Sequence, residues 1–281
     1  MPMKTVLAWV IFSFILHSAT SADCAAVSGD QRPMSPTAVS GLMPVSSPLS
    51  LTENRGQWPI DSDAGALLAV SSLHEGARLF FFVRGISLVH YAVHQPPTTS
   101  VPGSELHDSA VPPFATWRAD LRFRGCLEPT VDFTDAIDEY RHYYLPAAPE
   151  GVDRVPAWRS IRYRGLYPGI DLHCTVQDGG LKYEFRLQPG ADPGAIAMEW
   201  IGAGNPVLTR KQGLLFRHPA GELRDEAPFS WQQAAHGAIH PTESFWTVED
   251  GILGFAVPAW DRDRSLVIDP FLQWSTFLGG S

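Results

Sequence analysis

Cysteine is scarce: the 281 residues hold only three, Cys24, Cys126 and Cys174. No Cys-x-x-Cys pair exists, so thiol redox chemistry and cysteine-based zinc sites have no support. Charged residues are also few, at 18% where soluble proteins usually carry ~25%. What charge there is leans acidic, with 30 Asp and Glu against 21 Lys and Arg, a formal net charge of −9. That balance repels phosphate backbones and anionic lipid, which argues against nucleic-acid or membrane-surface partners. Long stretches of 3.6-residue periodicity are missing, and 24 Gly and 24 Pro punctuate the chain. Both features disfavour long helices and a doubly wound α/β fold. A Gly-x-Ser-x-Gly elbow and a P-loop are lacking. Gly202-Ala-Gly204 runs into Asn-Pro, so no dinucleotide fingerprint develops.

Hydrophobic residues nevertheless make up 44% and aromatics 11%, enough to bury a core of pleated strands. The first 22 residues read as a signal peptide: Lys4, an apolar run from Val6 to Leu16, then Thr20-Ser21-Ala22 as a cleavage site. The run is too short to span a bilayer, and no second apolar run of spanning length follows. Cys24 follows closely, but Ser21 and Asp23 occupy the positions where a lipobox needs an aliphatic and a small residue. Residues 23–50, rich in Ser, Pro, Ala and Gly, read as a flexible leader.

From residue 51 the pattern is short strands between turns. Thr116 to Phe123 alternates Trp117, Ala119, Leu121 and Phe123 against Arg118, Asp120 and Arg122, as a half-buried strand does. Ile170 to Val176 and Leu181 to Leu187 flank Gln177-Asp-Gly-Gly180, a hairpin signal because Gly accepts positive φ. Further strands are expected at 195–201, 213–218, 229–233, 244–248, 252–257 and 265–268. Residues 95–113 hold five prolines and read as a long inserted loop. Turns every ~8–12 residues predict an all-β fold, an antiparallel β-sandwich. Its expected parts are a β lobe over 51–145 and a second over 146–272, meeting near 146–156.

Chemistry-bearing candidates are weak. Asp61 and Asp63 are spaced like the start of a calcium loop, but the twelfth position is Ser72 rather than a bidentate Glu. Asp132, Asp135, Asp138 and Glu139 form an acidic cluster that could serve glycoside hydrolysis only if two carboxylates converge. His90/His94 and His236/His240 have i, i+4 spacing without helical context, so surface or hydrogen-bonded roles are expected. Cys126 and Cys174 lie in strand-like segments; a disulfide between them and two separate buried thiols are both open. The tryptophans spread through the chain suit core packing better than sugar platforms.

Glu53-Asn-Arg-Gly-Gln57, Tyr167-Pro-Gly-Ile-Asp171, Leu181-Lys-Tyr-Glu-Phe185, Pro189-Gly-Ala-Asp-Pro193 and Leu266-Val-Ile-Asp-Pro270 occur in that order. Together they resemble the N-terminal domain of bacterial SBBP-repeat proteins, a domain of unknown function that precedes a β-propeller. Gln273-Trp-Ser-Thr-Phe-Leu-Gly-Gly-Ser281 is similar to the opening strand of the first such repeat. The resemblance implies a truncated propeller repeat over 273–281 and carries no catalytic residues.

These readings lead to one expectation, with two alternatives. The chain is expected to be exported, secreted or on the cell surface. It would act as a non-catalytic module that supports or presents a C-terminal propeller in adhesion or surface binding. Glycan or a surface protein is the expected partner, and no cofactor is expected. The alternatives are a secreted polysaccharide hydrolase using residues 132–139, and a structural spacer.

Overall fold

The computed structural model describes residues 49–74, 76–93, 114–177, 179–218, 221–233 and 238–276. The signal peptide, most of the leader, Cys24, His94, His236, the 95–113 insertion and residues 277–281 lie outside them.

Twenty strands form among the described residues, with a single 3-10 turn, and every pairing is antiparallel. The first five are β1 (Leu51–Glu53), β2 (Asp61–Ser62), β3 (Gly65–Ser71), β4 (Ala77–Phe82) and β5 (Gly85–Val93). Next come β6 (Phe114–Phe123), β7 (Thr130–Leu145), β8 (Ala148–Tyr167), β9 (Ile170–Gln177) and β10 (Gly180–Leu187). The short strands β11 (Met198–Ile201), β12 (Val207–Leu208), β13 (Leu214–His218), β14 (Gly221–Asp225) and β15 (Phe229–Gln233) follow. The last are β16 (Ile239–Thr242), β17 (Phe245–Glu249), β18 (Ile252–Ala256), β19 (Leu266–Asp269) and β20 (Phe271–Thr276).

The fold is all-β, as the turn spacing predicts. It is one antiparallel hydrogen-bonded network that does not close into a barrel. A meander runs β3–β4–β5–β6, and β6 pairs β11, which pairs β18 and then β17. β1 links that meander to β8 by pairing β3 on one side and Trp158 and Ala157 on the other. β7, β8, β9 and β10 then zip in sequence order. Beyond β10 the network forks. β19 and β20 pair β10 in one continuous register on either side of Pro270, and their other edges take β15 and β14 respectively.

Local sequence explains the best-defined hairpin. β9 and β10 present Ile170, Leu172, Cys174, Val176, Leu181, Tyr183, Phe185 and Leu187 to the core, all 2% exposed or less. Gly179 adopts φ +91° in the turn. A Cβ on Gly180 would lie 2.1 Å from the Leu272 carbonyl oxygen, so only glycine lets β20 approach there. The strand predicted at 195–201 starts later. The Asp192 side chain accepts the Gly194 N–H and Pro193 fixes φ, so the chain makes its 3-10 turn before β11.

Residues 146–156, the expected lobe boundary, hold the tip and one arm of the long β7–β8 hairpin; the β1–β8 and β6–β11 pairings join segments on either side of it. Residues 273–276, which resemble the opening of a repeat, are the end of β20, paired with β14 from Gln273↔Arg224 to Thr276↔Gly221. Leu49 and Ser50, placed in the flexible leader by composition, are buried, and Arg141 Nη2 donates to Ser50 Oγ at 2.9 Å.

Where β4–β5–β6–β11 and β13–β14–β20 meet, rings from the two layers touch: Trp200 with Phe216 at 6.0 Å, and His74 with Trp274 at 6.1 Å. Of the described tryptophans, Trp58, Trp200, Trp246 and Trp274 are core, while Trp117, Trp158, Trp231 and Trp260 are half-buried.

Candidate functional site

The sequence-level candidates do not assemble. Asp61 and Asp63 sit at the exposed β2–β3 turn, and Asp61 Oδ1 is occupied by the Ser62 N–H. No group of three His, Cys, Asp or Glu suited to a metal exists among the described residues. Cys126 and Cys174 are not bridged; both are free thiols. The disulfide reading is corrected on that point: Cys174 points into the core on β9, while Cys126 lies half-buried after β6. Burial pushes both thiols up in pKa, so neither is a ready nucleophile.

The acidic cluster lies along β7 rather than around a cleft. Asp132 Oδ2 pairs Arg164 Nε at 2.7 Å, and Asp135 Oδ2 accepts from Ser160 Oγ at 2.6 Å. Asp135 has φ +58°, a left-handed conformation that turns its short side chain back toward β8. Asp138 is exposed, and Glu139 lies 3.9 Å from Arg141 at a register shift in the β7–β8 ladder. At strand rise the cluster spans roughly 20 Å.

A different constellation emerges across the outer face of β8, β9, β10, β19 and β15. Register brings Arg162 opposite His173, His173 opposite Glu184, and Asp269 opposite Phe229. Glu184, 7% exposed, is held by Arg186 Nη2 at 2.9 Å and Lys182 Nζ at 3.2 Å. Burial opposes its ionisation, but His173, Arg186 and Lys182 together outweigh burial and draw its pKa down to about 2. His173 Nδ1 stands 3.6 Å away. Lys182 also reaches Asp269 Oδ2 at 3.1 Å. The other carboxylate oxygen of Asp269 is buried without a hydrogen-bond partner. Burial raises the pKa of Asp269, against the opposing pull of Lys182.

Beside this pair opens a shallow groove lined by Gln177, Lys182, Glu226, Ala227, Phe229, Asp269 and Phe271. Phe229 is 56% exposed, and its ring lies 5.5 Å from that of Trp231, two residues along β15. The groove thus sets an amide, an ammonium and carboxylates beside the exposed Phe229 ring. Such a surface can accept and donate hydrogen bonds while an apolar face of a ligand packs on a ring.

The chain belongs to a family of domains of unknown function. Residues 51–271 match DUF7948, described as a domain of unknown function. No curated protein and no solved structure matches the chain. The DUF7948 match covers all groove-lining residues, from Gln177 to Phe271.

Sequence reasoning missed the groove because its residues come from four segments spread over nearly a hundred positions. It also missed a second constellation. His90 is fully buried, with its ring centroid 4.9 Å from that of His218, which stacks on Trp117. The expectation of surface or hydrogen-bonded histidines is corrected for His90. The available signal was positional: His90 continues the core-facing series Ile86, Leu88, and His218 continues Leu214, Phe216.

Proposed function

We propose that this DUF7948 domain is a non-catalytic, exported module that binds a surface ligand and supports or presents a following β-propeller. The groove bounded by Phe229, Phe271 and Asp269 would take the ligand, a hydroxyl-rich one of the glycan class. The observation that carries the reading is the buried Asp269 oxygen with no partner, at the wall of a groove that also exposes an aromatic ring. An unpaired buried acceptor costs free energy that a ligand hydroxyl recovers, and Phe229 offers the ring face. Export rests on the N-terminal signal pattern, and the propeller connection rests on the resemblance of residues 273–281. The dispersal of Asp132, Asp135, Asp138 and Glu139 along β7, with Asp132 and Asp135 directly engaged, favours this reading over a polysaccharide hydrolase.

The test is a glycan array probed with the full chain, followed by calorimetry on any hit with Phe229→Ala and Asp269→Asn. Saturable binding lost in both variants is the expected result. Binding that both variants retain, or product release from the glycan that depends on the β7 acids, would overturn the reading.

A further inference from the structure

The core-facing stripes of three strands end at one place in polar rings. On β5 the series is Ile86, Leu88, His90; on β6 it runs back from Phe123 through Leu121 and Ala119 to Trp117; on β13 it is Leu214, Phe216, His218. Register sets His90 opposite Trp117 across the β5–β6 ladder. Layer packing then brings His218 onto both, 4.9 Å from His90 and 3.4 Å from Trp117 between ring centroids, parallel to the indole within 5°.

Packing alone does not explain His90. Its exposure is 0%, and neither Nδ1 nor Nε2 has a hydrogen-bond partner. A neutral imidazole carries one donor and one acceptor, and burying both unpaired is costly. A leucine or phenylalanine would fill the same position without that cost. Groups of this kind in native cores are usually satisfied by a water, an ion or a ligand.

The geometry points to a binding site for a borderline divalent cation of the zinc and copper class, ligated by His90 and His218. Two imidazoles bound to one tetrahedral ion at Zn–N of about 2.0–2.1 Å place their ring centroids about 5 Å apart. The observed centroid separation, 4.9 Å, matches that spacing. Imidazole selects zinc and copper over magnesium and calcium, which prefer oxygen donors. His218 is 7% exposed, which puts the pair within reach of solvent at the end of β13. No third His, Cys, Asp or Glu joins them among the described residues. This site is independent of the Phe229–Asp269 groove.

The test uses the full chain, stripped with chelator and titrated with zinc by calorimetry, and with copper by tryptophan fluorescence. Wild type is expected to bind one zinc with Kd below about 100 µM, an affinity of roughly −5.5 kcal/mol or stronger. Copper is expected to quench the Trp117 component of the emission. His90→Phe and His218→Phe preserve ring volume in the core. Each should fold, as read by thermal unfolding, and lose zinc affinity by about a hundredfold or more, since even outer-shell partners are worth about tenfold to hundredfold. His142→Ala, an exposed histidine paired with Asp153, should bind as wild type does. Absence of zinc binding by wild type would overturn the proposal, as would binding that survives both phenylalanine variants. If one of the variants fails to fold, the wild-type titration and the other variant still decide the matter.

Discussion

Asp225 is a carboxyl group in the wrong medium, and its cost can be read against pH. It closes β14 at 1% exposure, with Tyr183 Oη donating to Oδ2 and nothing donating to Oδ1. Burial raises its pKa to about 7, the Tyr183 hydrogen bond opposing and the Glu226 charge adding to the rise. The folded value lies above the unfolded one, so the protonated form is favoured by folding. Its contribution is fully present below about pH 4 and is lost as pH climbs through 7. Between pH 5 and 7 the unfolded chain is ionised at this residue and the folded chain is not, so stability falls by about 1.4 kcal/mol per pH unit. The slope flattens past 7, and the loss from pH 5 to pH 8 totals about 3 kcal/mol. Asp225→Asn keeps the shape and cannot ionise. Urea unfolding of both proteins at pH 5 and pH 8, followed by tryptophan emission, measures the effect. Relative to wild type, the asparagine protein should gain about 3 kcal/mol on going from pH 5 to pH 8, a midpoint shift of roughly 1 M urea at the m-values of domains this size. Parallel pH profiles for the two proteins would refute the reasoning, because Asp225 would then ionise as freely folded as unfolded.

Other perturbations probe other parts of the same sheet. Gly180→Ala drives a Cβ to 2.1 Å from the Leu272 carbonyl and should cost about 2–4 kcal/mol in thermal or urea unfolding, through loss of β10–β20 pairing. Glu184→Gln removes the partner of Lys182 and Arg186. Since the folded pKa of Glu184 is depressed, its stabilisation exists above about pH 4.5 and is lost as pH falls toward 2. The variant should therefore be weaker than wild type at pH 7 and converge with it in acid, as read by midpoint against pH. A maleimide added at pH 8 should leave Cys174 unmodified in the native protein and label it in urea, and reductant should leave the melting temperature unchanged because no Cys126–Cys174 bridge exists. Rapid native labelling of Cys174, or a fall in melting temperature on reduction, would count against the burial described.

What could be read from the residues in order is what local physics decides. The β9–β10 hairpin was legible because Asp178-Gly179-Gly180 must turn and its flanks alternate strictly. β6 was legible because its charged and apolar faces separate cleanly. The β7–β8 hairpin was only half legible: Tyr140 to Leu145 carries aromatics on both faces, so its period is ambiguous, yet it belongs to the longest ladder in the fold. Pairings such as Phe185↔Ile268 join positions more than eighty residues apart, and no turn residue announces them. The same holds for function. Phe229 and Asp269 are neighbours only because β15 and β19 happen to pair, and His90 meets His218 across two layers. Spacing rules search along the chain, whereas both constellations are assembled across it.

The segment Leu266–Thr276 has a further consequence, one of timing. It supplies partners to β10, β14 and β15 at once, and Trp274 Nε1 donates to the carbonyl of His74, two hundred positions earlier. Until that stretch is in place, three strands hold open edges and the loop from His74 to Trp274 cannot close. Assembly must therefore be late and slow, as expected where distant contacts dominate. A nascent chain stopped at residue 265 would keep those edges free to zip onto a neighbour.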